Sequence, residues 1–571
     1  MDSLPLFQKT ASPSPGVSPI CFIFRVILAS SLMLGAAPAE GVPELPKEPR
    51  IVNIYNFIRN SDYRLQNSED VLFEATRNQI ELLKPTGMPV TWALQYDALI
   101  NPKYQKLLKE NAGPDDEIGA WWEFPRPLVE KAGIKWRGHD HEWDSTANVG
   151  FSPGYTPADR RKLVDVYMAE FKEIFGRYPA SVGSWYIDEV TLGYMADRYG
   201  IVASCNCKDQ IGTDGYTLWG GYWNQAYYPS KVNAYMPAQT KGGQIDVPIF
   251  RMLGSDPIYQ YGGGHGISSL EPVYPRSGGS AKWVNWFMMN LIEQPSLAFA
   301  YTQAGQENSF GWNSMKDGLT MQVNLLSEQA NAGKIQVMTL ENAGRWFKSK
   351  YPLTPPTSMT YLDDWSDGDR KTVWYNSRFF RANFLWEGDQ FRIRDVHCFD
   401  QSIESVTHDS ALKSRTLAYT TLPVMDEALW TGSAGSGIYP VLLDIDGNSS
   451  VMKLDGEPTV TESSETSLSI VQKLTGGGKI SIICAETSLA FSGENAAGEP
   501  LAWAWEMKGG EGLRNAVKKV ESNRITFREG KTKYQIETAS SLGSFDKLGD
   551  GGLRLIPNAN GRLVLLLGNL E

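Results

Sequence analysis

Strand-like and helix-like segments alternate along the chain from residue 51 to about residue 350. The first, "IVNIYNFI", is a nearly continuous apolar run and predicts a buried strand. The next, "EDVLFEATRNQIELLKPTG", has apolar residues at helical spacing and is stopped by Pro85 and Gly87. Further strand-like segments follow in the order "VTWALQYDAL", "DEIGAWWEF", "IKWRG", "ASVGSWYID", "IVASCN", "VPIFRMLGSDP", "SLAFAYTQAG" and "KIQVMTL".

Repeated β-α units of this kind predict an α/β fold in which a parallel sheet closes into a (β/α) barrel of the seven- or eight-stranded type. We place this barrel at residues 45–355 and expect it to be the catalytic domain. Functional side chains of such barrels lie at the carboxyl ends of the strands. The residues that follow each strand are therefore the first candidates for chemistry.

The pattern changes beyond residue 355. "YPLTPPTSMTY" is a proline-rich joint, and short alternating runs such as "GGKISIICAETSLAFSG" and "GRLVLLLGNL" follow it, separated by Gly, Asn and Asp. Such runs are typical of antiparallel strands. We predict an antiparallel β-sandwich domain at residues 356–571.

A long segment between Cys205 and Val247 has little helical or strand periodicity. Its many aromatic residues argue against disorder, because disordered segments lack them. We predict an ordered loop that lies over the mouth of the barrel. The aromatic residues of this segment are Tyr216, Trp219, Tyr222, Trp223, Tyr227, Tyr228 and Tyr235.

The N-terminus has the pattern of an export signal. Lys9 and Arg25 precede the apolar stretch "VILASSLMLGAA", and "APA" ends at Ala39 with small residues at the cleavage positions. We predict a signal peptide at residues 1–39 and an exported protein, periplasmic or extracellular, with a retained N-terminal anchor as the alternative. No later segment approaches the ~20 apolar residues of a spanning helix, so no membrane span is expected after cleavage.

Composition narrows the classes of partner. The formal net charge of −11 and the lack of a basic run argue against a nucleic-acid partner. The chain has 18 Trp, 25 Tyr and 22 Phe, and although most of these must form core, aromatic faces also stack on sugar rings. We expect an oligo- or polysaccharide as the substrate, and the sequence does not indicate an oligomeric state.

Carboxylates, rather than histidines, dominate the predicted strand ends. The chain has five histidines and carries no G-x-S-x-G elbow, no phosphate-binding loop and no G-x-G-x-x-G after the first strand. Glycosidic-bond cleavage needs one protonated carboxyl to protonate the leaving oxygen and one ionised carboxyl to attack or to activate water. The acids at predicted strand ends are Asp97, Glu117, Glu123, Asp188, Glu189, Asp256, Glu307 and Glu341.

Two motifs resemble those of glycoside hydrolase family 57. "GSWYIDEVTLGYMADRYGI" is similar to the nucleophile segment of that family, G-x-W-x-P-E followed by a helix and a G-I turn, with Ile187 in the proline position and Asp188 in the glutamate position. "AGQENSFGW" is similar to its general-acid segment, D-x-E-x-x-G-x-W, with Gly305 in the Asp position. The resemblance implies a retaining glycosidase in which Asp188 or the adjacent Glu189 is the nucleophile and Glu307 the acid/base.

The wider superfamily includes polysaccharide deacetylases, whose barrels hold a metal through Asp and two His. "DDEIGAWWEF" resembles their H-E-I-G-x-H segment, but Asp116 and Trp121 occupy the histidine positions. The overall pattern is also similar to a secreted bacterial family of unassigned function. A metal-dependent deacetylase-like hydrolase and a non-catalytic glycan-binding protein are therefore the alternatives to a glycosidase.

The candidate acids also have structural interpretations. Asp188 at a strand–helix junction is a good N-cap, and Glu189 in the first helical turn complements the helix dipole. Successive strand residues face opposite sides, so only one of the two acids can face the site, and we favour Asp188. The alternative interpretation of Glu307 is an ordinary solvated acid in a loop.

The remaining candidates are substrate contacts and a weak metal motif. "RGHDHEWD" places His139 and His141 two residues apart near carboxylates, which is compatible with a divalent metal or with a sugar-stacking rim. We predict no cofactor, with a divalent metal as the alternative. The predicted substrate contacts are Asp97, Glu117, Trp121, Glu123, Trp185, Asp214, Tyr216, Trp219, Trp223 and Asp256.

Overall fold

The computed structural model describes residues 47–213, 215–261, 267–431 and 435–568. The predicted signal peptide and the predicted substrate contact Asp214 lie outside these ranges. No helix within the described part of the chain combines the length and the apolar character that a membrane span requires.

A nearly closed parallel sheet forms the first half of the described chain. Its strands run in the order β12-β1-β2-β3-β4-β5-β11, with parallel pairing throughout, while β8 pairs antiparallel with β11 and β13 pairs with β1. These strands are β1 (Arg50–Ile58), β2 (Thr91–Leu94), β3 (Glu117–Trp121), β4 (Ser181–Gly183), β5 (Ala203–Asn206), β6 (Gln210–Thr213), β7 (Tyr216–Leu218), β8 (Ala226–Tyr227), β9 (Pro229–Ser230), β10 (Asn233–Pro237), β11 (Ile249–Arg251), β12 (Ala300–Ala304) and β13 (Gln336–Met338).

Helices connect most of the parallel strands, as the alternating sequence pattern predicts. Pro102, Pro157 and Asp188 illustrate the local reasons: proline fits the first helical turn, and an Asp N-cap accepts a backbone N–H. These helices are α1 (Ser68–Leu83), α2 (Tyr96–Leu99), α3 (Pro102–Asn111), α4 (Arg126–Lys131), α5 (Pro157–Phe175), α6 (Glu189–Tyr199), α7 (Ala281–Glu293), α8 (Trp312–Asn331) and α9 (Leu340–Lys350).

Side chains alternate between the inside of this sheet and its helix-covered outside. On β1, Tyr55 and Phe57 belong to the interior cluster, whereas Ile54 and Ile58 pack with the helices. On β3, Trp121 is likewise interior. Because the side-chain period of a strand is two, the odd-numbered residues that continue β1 and β3 also point inward.

A side chain completes the sheet where two strands do not pair. Gln225 directly precedes β8, and its amide accepts a hydrogen bond from Tyr301 N at 2.9 Å and donates to Tyr301 O at 3.3 Å. Its own backbone oxygen accepts from Arg251 N on β11. The glutamine thereby joins β11 to β12 across the seam, in the manner of a strand residue.

Two sequence expectations are corrected here. "IKWRG" is not a strand but part of an irregular loop, in which the Arg137 side chain donates to the backbone carbonyls of Asn148 and Gly154. The segment between Cys205 and Val247 is ordered, as predicted, but it contains strands β6 to β10 rather than plain loop. β7 pairs with β18 (Leu417–Ala418), a strand from much later in the chain, so this segment packs against the second half of the protein.

Two antiparallel sheets make up the second half of the described chain, in the orders β14-β15-β16-β17-β20-β26-β31-β30 and β22-β23-β24-β25-β32-β29-β28-β27. Residues of both sheets share one hydrophobic cluster. The sandwich arrangement and the boundary near residue 355 stay predictions. The elements are β14 (Thr357–Tyr361), β15 (Arg370–Asn376), β16 (Phe380–Glu387), β17 (Gln390–Cys398), β18 (Leu417–Ala418), β19 (Leu422–Asp426), α10 (Glu427–Thr431), β20 (Gly437–Leu443), β21 (Ser449–Val451), β22 (Leu454–Ser464), β23 (Ser467–Leu474), β24 (Lys479–Ala485), β25 (Ser488–Glu494), β26 (Trp503–Lys508), α11 (Gly510–Ala516), β27 (Val517–Glu521), β28 (Arg524–Glu529), β29 (Thr532–Glu537), β30 (Ser544–Lys547), β31 (Leu553–Ile556) and β32 (Arg562–Leu566).

Candidate active site

Arg59 is the centre of a buried charge cluster at the carboxyl ends of the parallel strands, which we call the mouth. It follows β1 directly and continues the inward-facing series of Tyr55 and Phe57. Its Nη2 contacts Glu123 Oε2 at 3.2 Å and Glu307 Oε2 at 3.1 Å, and its Nη1 contacts Asp62 Oδ2 at 3.4 Å. One guanidinium therefore holds three carboxylates.

Glu123 lies two residues beyond β3 and has no exposed surface. Burial raises the pKa of its carboxyl to about 7; the Arg59 guanidinium lowers it, the neighbouring Glu307 raises it, and the Trp121 indole lowers it. Its pKa is thus close to neutral pH, where a carboxyl can act as either acid or base.

Glu307 lies three residues beyond β12 and is 8% exposed. Burial raises the pKa of this carboxyl as well, while the guanidinium groups of Arg59 and Arg64 and the Ser309 hydroxyl lower it. The two glutamate oxygens share one nitrogen, so they are no farther apart than the sum of their two contact distances. Glu307 and Glu123 form the candidate carboxyl pair.

Aromatic rings surround this pair. Phe57 and Trp121 stack with ring centroids 3.9 Å apart, and Trp185, which is half-buried, meets Trp121 edge-on at 5.3 Å. Trp143 covers Arg59, with the guanidinium carbon 4.2 Å from the ring centroid. Farther out, the half-exposed Tyr63 packs against Trp143, with the two ring centroids 5.8 Å apart. Trp185 and Tyr63 therefore offer ring surface beside the buried carboxyls, and such rings can stack on a sugar.

Asp188 is placed as a helix cap. Its Oδ1 accepts from Thr191 N at 2.9 Å and from Arg160 Nη1 at 2.9 Å, and its Oδ2 accepts from Thr191 Oγ1 at 2.6 Å. Both oxygens are therefore occupied, and the residue has no exposed surface. The Asp188 carboxylate is thus used to start α6 and to hold Arg160, and its pairing with Glu307 stays a prediction.

Glu189 does not face the carboxyl pair either. Its Oε1 contacts His408 Nδ1 at 2.9 Å, and its Oε2 accepts from Ala234 N at 3.4 Å. Burial, and then the neighbouring charge of Asp188, raise the pKa of this carboxyl to about 7, while His408 lowers it. Glu189 thus joins α6 to segments 230–237 and 405–410.

Two predicted substrate contacts, Asp97 and Glu117, accept hydrogen bonds from backbone N–H groups of neighbouring segments. Asp97 Oδ2 accepts from Asn60 N at 3.0 Å and from Ser61 N at 2.9 Å, which fixes the chain just after β1, and burial raises the pKa of Asp97 to about 6. Glu117 lies at the amino end of β3, where its Oε2 accepts from Glu341 N at 2.8 Å. Burial raises the pKa of Glu117 to about 7, but this carboxyl is at the end of the sheet opposite the mouth.

The aromatic residues of segment 205–247 pack inside the protein. Trp223 stacks on Trp374 at 3.8 Å, and Trp219 donates its indole N–H to Asp426 at 2.8 Å. Tyr216 is buried against Tyr186 at 4.8 Å. These rings are at most 3% exposed, so no face is left for a sugar. They are core residues because the segment lies between the parallel sheet and the antiparallel sheets.

Asp256 and the histidine motif also have local roles. Asp256 Oδ2 accepts indole N–H bonds from Trp283 at 2.8 Å and Trp365 at 2.9 Å, and burial raises its pKa. His139 Nε2 is 3.6 Å from Asp144 Oδ2 at an exposed position, and His141 stacks on Tyr63 at 5.2 Å. The histidine motif thus adjoins the aromatic rim of the mouth.

Among the described residues, one group of three side chains that could ligate a metal lies close together, in the second half of the protein. Its members are Asp395, His397 and Asp426. His397 Nδ1 is 3.1 Å from Asp395 and its Nε2 is 3.2 Å from Asp426. Asp395 is also held by both ends of the Arg381 guanidinium at 2.9 Å. The imidazole itself occupies the space between the carboxylates, so these residues fit an ion-pair network better than a metal.

Sequence reasoning missed Arg59, Asp62 and a second ion pair at the mouth. Lys208 Nζ lies 3.4 Å from Glu271 Oε2, both groups are buried, and the Glu271 charge acts on Glu307 to raise its pKa. The signal for Arg59 was available: it follows "IVNIYNFI" at an inward-facing position. Glu271 offered no such signal, because it lies in an irregular loop.

No protein-family model and no curated protein matches the chain. A solved structure described as a candidate glycoside hydrolase/deacetylase from Parabacteroides distasonis is similar at 14% identity, with a TM-score of 0.48 over 67% of this chain and 91% of that chain. One described as a probable polysaccharide deacetylase from Pseudomonas aeruginosa is similar at 10% identity, with a TM-score of 0.33 over 53% of this chain and 93% of that chain. An allantoinase is similar at 11% identity, with a TM-score of 0.32 over 56% of this chain and 97% of that chain. These likenesses fix no activity, and family 57 stays a prediction.

Proposed function

We propose that this protein is an exported glycoside hydrolase that cleaves an oligo- or polysaccharide with Glu123 and Glu307. The observation that carries the proposal is the contact of both carboxyls with one nitrogen of Arg59. Two buried carboxyls at this spacing, within an aromatic rim, suit protonation of a glycosidic oxygen and attack on the adjacent carbon. Export rests on the sequence pattern of residues 1–39 alone.

Glu123 is the proton donor in this proposal, and Glu307 is the nucleophile. Glu123 has the more enclosed carboxyl with a pKa of about 7, whereas Glu307 is 8% exposed and the Ser309 hydroxyl stabilises its ionised form. These roles differ from those that the sequence resemblance implied. There Asp188 was the nucleophile, but its two oxygens are occupied by the helix cap and Arg160.

The reaction then has two steps. Glu123 gives its proton to the glycosidic oxygen as the bond from that oxygen to the anomeric carbon breaks, and a Glu307 oxygen bonds to the same carbon. In the second step Glu123 removes a proton from water while the water oxygen attacks the anomeric carbon. The bond to Glu307 breaks, and both carboxyls return to their starting states.

The geometry favours retention of the anomeric configuration. Retaining enzymes hold their carboxyls ~5–5.5 Å apart and inverting enzymes ~6.5–9.5 Å apart. Contacts of 3.1 and 3.2 Å to a shared nitrogen bring one oxygen of Glu123 and one of Glu307 close together, and on that ground we assign retention to the pair. Because Glu123 has no exposed surface, side chains around it must move before a sugar can reach the pair.

A panel of nitrophenyl glycosides and polysaccharides tests the proposal with wild-type protein, Glu123→Gln and Glu307→Gln. We expect a loss of kcat by a factor of at least ~10³ for each variant, since each removes one of two essential carboxyls. Glu117→Gln is the matched control, because Glu117 is equally enclosed and has a pKa of about 7 but lies at the other end of the sheet. Equal activity of the two test variants and the control would refute the pair.

The same assays with a chelator distinguish the proposed glycoside hydrolase from a metal-dependent deacetylase. Glycoside hydrolysis by the carboxyl pair is expected to persist in chelator, with no release of acetate from acetylated polysaccharides. Chelator-sensitive acetate release that survives in Glu307→Gln would instead favour the deacetylase.

A further inference from the structure

Gln95 is a buried polar residue at the mouth that the mechanism does not use. It directly follows β2, its backbone is still extended, and its N–H donates to Ile58 O at 2.8 Å, which continues the ladder with β1. Parallel registers pair Ile58 with Leu94 and Leu94 with Ala120. Gln95 therefore lies between Arg59 and Trp121 in the strand order.

The side chain of Gln95 points into the sheet. Ala93 on the same strand belongs to the interior cluster with Phe57 and Trp121, whereas Leu94 packs with the helices on the outside. Gln95 shares the parity of Ala93, so its amide extends inward on the level of Arg59 and Trp121, next to the carboxyl pair.

The amide of Gln95 is buried and unpartnered. The residue has no exposed surface, and neither Nε2 nor Oε1 has a hydrogen-bond partner in the described protein. Arg59 Nε, on the adjacent strand, is also buried without a partner. Buried polar groups nearly always find partners, and an amide at a candidate site whose donor and acceptor are both free of protein contacts can supply both to a ligand.

The cations at the mouth are already engaged by carboxylates. Arg59 holds Glu123 and Glu307, and Lys208 is paired with Glu271. A carboxylate or sulfate on the substrate would have to displace one of these pairs. An amide, in contrast, donates to one hydroxyl and accepts from another.

We infer that Gln95 is a specificity residue that binds hydroxyl groups of an uncharged sugar ring held beside Glu123 and Glu307. This inference rests on the proposed function for the position of the ring, but sugar binding can be measured without turnover. Gln95 touches the substrate and not the reacting bond, so its loss weakens binding.

Ligand-observed NMR with tetrasaccharides of the cello, malto, xylo, manno and chito series tests the inference, with oligogalacturonate as the anionic probe. We expect wild type to bind at least one neutral tetrasaccharide more tightly than oligogalacturonate. Gln95→Met, which preserves size, is expected to bind that probe about 10- to 100-fold more weakly, as the loss of one or two hydrogen bonds predicts. Its Tm should equal or exceed that of wild type, because the amide makes no bond to lose.

The control is Gln472→Met. Gln472 is also buried, but its amide accepts from Trp386 Nε1 at 3.0 Å and donates to backbone oxygens, including that of Lys473 at 2.9 Å. This variant should lower Tm and leave sugar affinity unchanged. If Gln95→Met does not fold, Gln95→Glu, which loses the N–H donors but keeps the shape, is expected to show at least a 10-fold loss of affinity.

Equal affinity of wild type and the Gln95 variant, tighter binding of oligogalacturonate than of any neutral probe, or no binding by wild type would each overturn the inference. The same spectra report new reducing ends. Binding that depends on Gln95 without hydrolysis would therefore leave the inference standing and contradict the proposed function alone.

Discussion

Replacement of Arg59 by Met tests the charge cluster. Arg59 lies within 3.4 Å of three carboxylates and is 1% exposed. Without it, Glu123 and Glu307 are left buried with no cation in contact, while Asp62 keeps Arg64 at 2.5 Å. Removing one partner from a buried ion pair costs about 3–5 kcal/mol, so we expect the free energy of unfolding to fall by that amount at pH ~7.5.

The loss must also depend on pH. Without Arg59 the folded-state pKa of each glutamate rises further above its unfolded value of ~4.3. A carboxyl with a raised folded-state pKa destabilises the fold above the unfolded pKa, so stability falls as pH rises from about 4.3 through the raised value. For Glu123 this value is already about 7 in the wild type. The cost of the substitution should therefore be largest at and above pH ~7.5 and shrink toward pH ~4.5.

Urea unfolding at both pH values measures this difference. Arg77→Met is the control, since both partners of the Arg77–Glu81 pair are exposed, at 50% and 67%, and such a pair contributes at most about 1 kcal/mol. A cost below about 1 kcal/mol for Arg59→Met, or an equal cost at both pH values, would refute a buried cluster held by one guanidinium.

Three further substitutions separate structural from functional roles. Asp188→Ala should lower the free energy of unfolding in urea by about 3 kcal/mol, because the helix cap and the partner of Arg160 are lost. The kcat of the folded protein should change less than about twofold. A large loss of kcat at unchanged stability would restore Asp188 as a catalytic candidate. Trp185→Ala should raise KM for the active glycoside about 10-fold through loss of ring stacking. An unchanged KM would remove Trp185 from the site. His397→Phe should destabilise the protein most below pH ~6.5: the two adjacent carboxylates, after the opposing effect of burial, raise the pKa of His397, so its stabilisation is lost as pH rises through that value. An equal loss of unfolding free energy below pH ~6.5 and above the raised pKa would show that the charge of His397 does not contribute to stability.

The sequence pattern predicted much of the first half of the fold. Local periodicity located β1, α1 and the helices that follow, since an inward and an outward face repeat along each element. It could not distinguish the two uses of Asp188, because an N-cap and a catalytic acid both follow a strand end. The structure shows that Thr191 occupies both carboxylate oxygens of Asp188 and that Arg160, from the preceding helix, pairs with one of them.

The aromatic residues of segment 205–247 show a second limit of prediction from the sequence. The composition of this segment excluded disorder, and the structure confirms that it is ordered. However, Trp223 is buried by Trp374, which lies in the second half of the chain. Non-local packing of this kind leaves no local signal, so a core ring and a sugar-binding ring look alike. Arg59 could have been found from strand parity, and Gln95 from the same rule applied to β2.

The most direct test of the carboxyl pair is to trap a covalent intermediate. Wild-type protein is treated with the 2-deoxy-2-fluoro analogue of the aryl glycoside that it hydrolyses, digested, and sequenced by mass spectrometry. We predict a fluoroglycosyl ester on Glu307 that is absent in Glu307→Gln and present in Glu117→Gln. A label on Asp188 or Glu189, or hydrolysis with inversion and no adduct, would contradict the assignment of Glu307 as the nucleophile opposite Glu123.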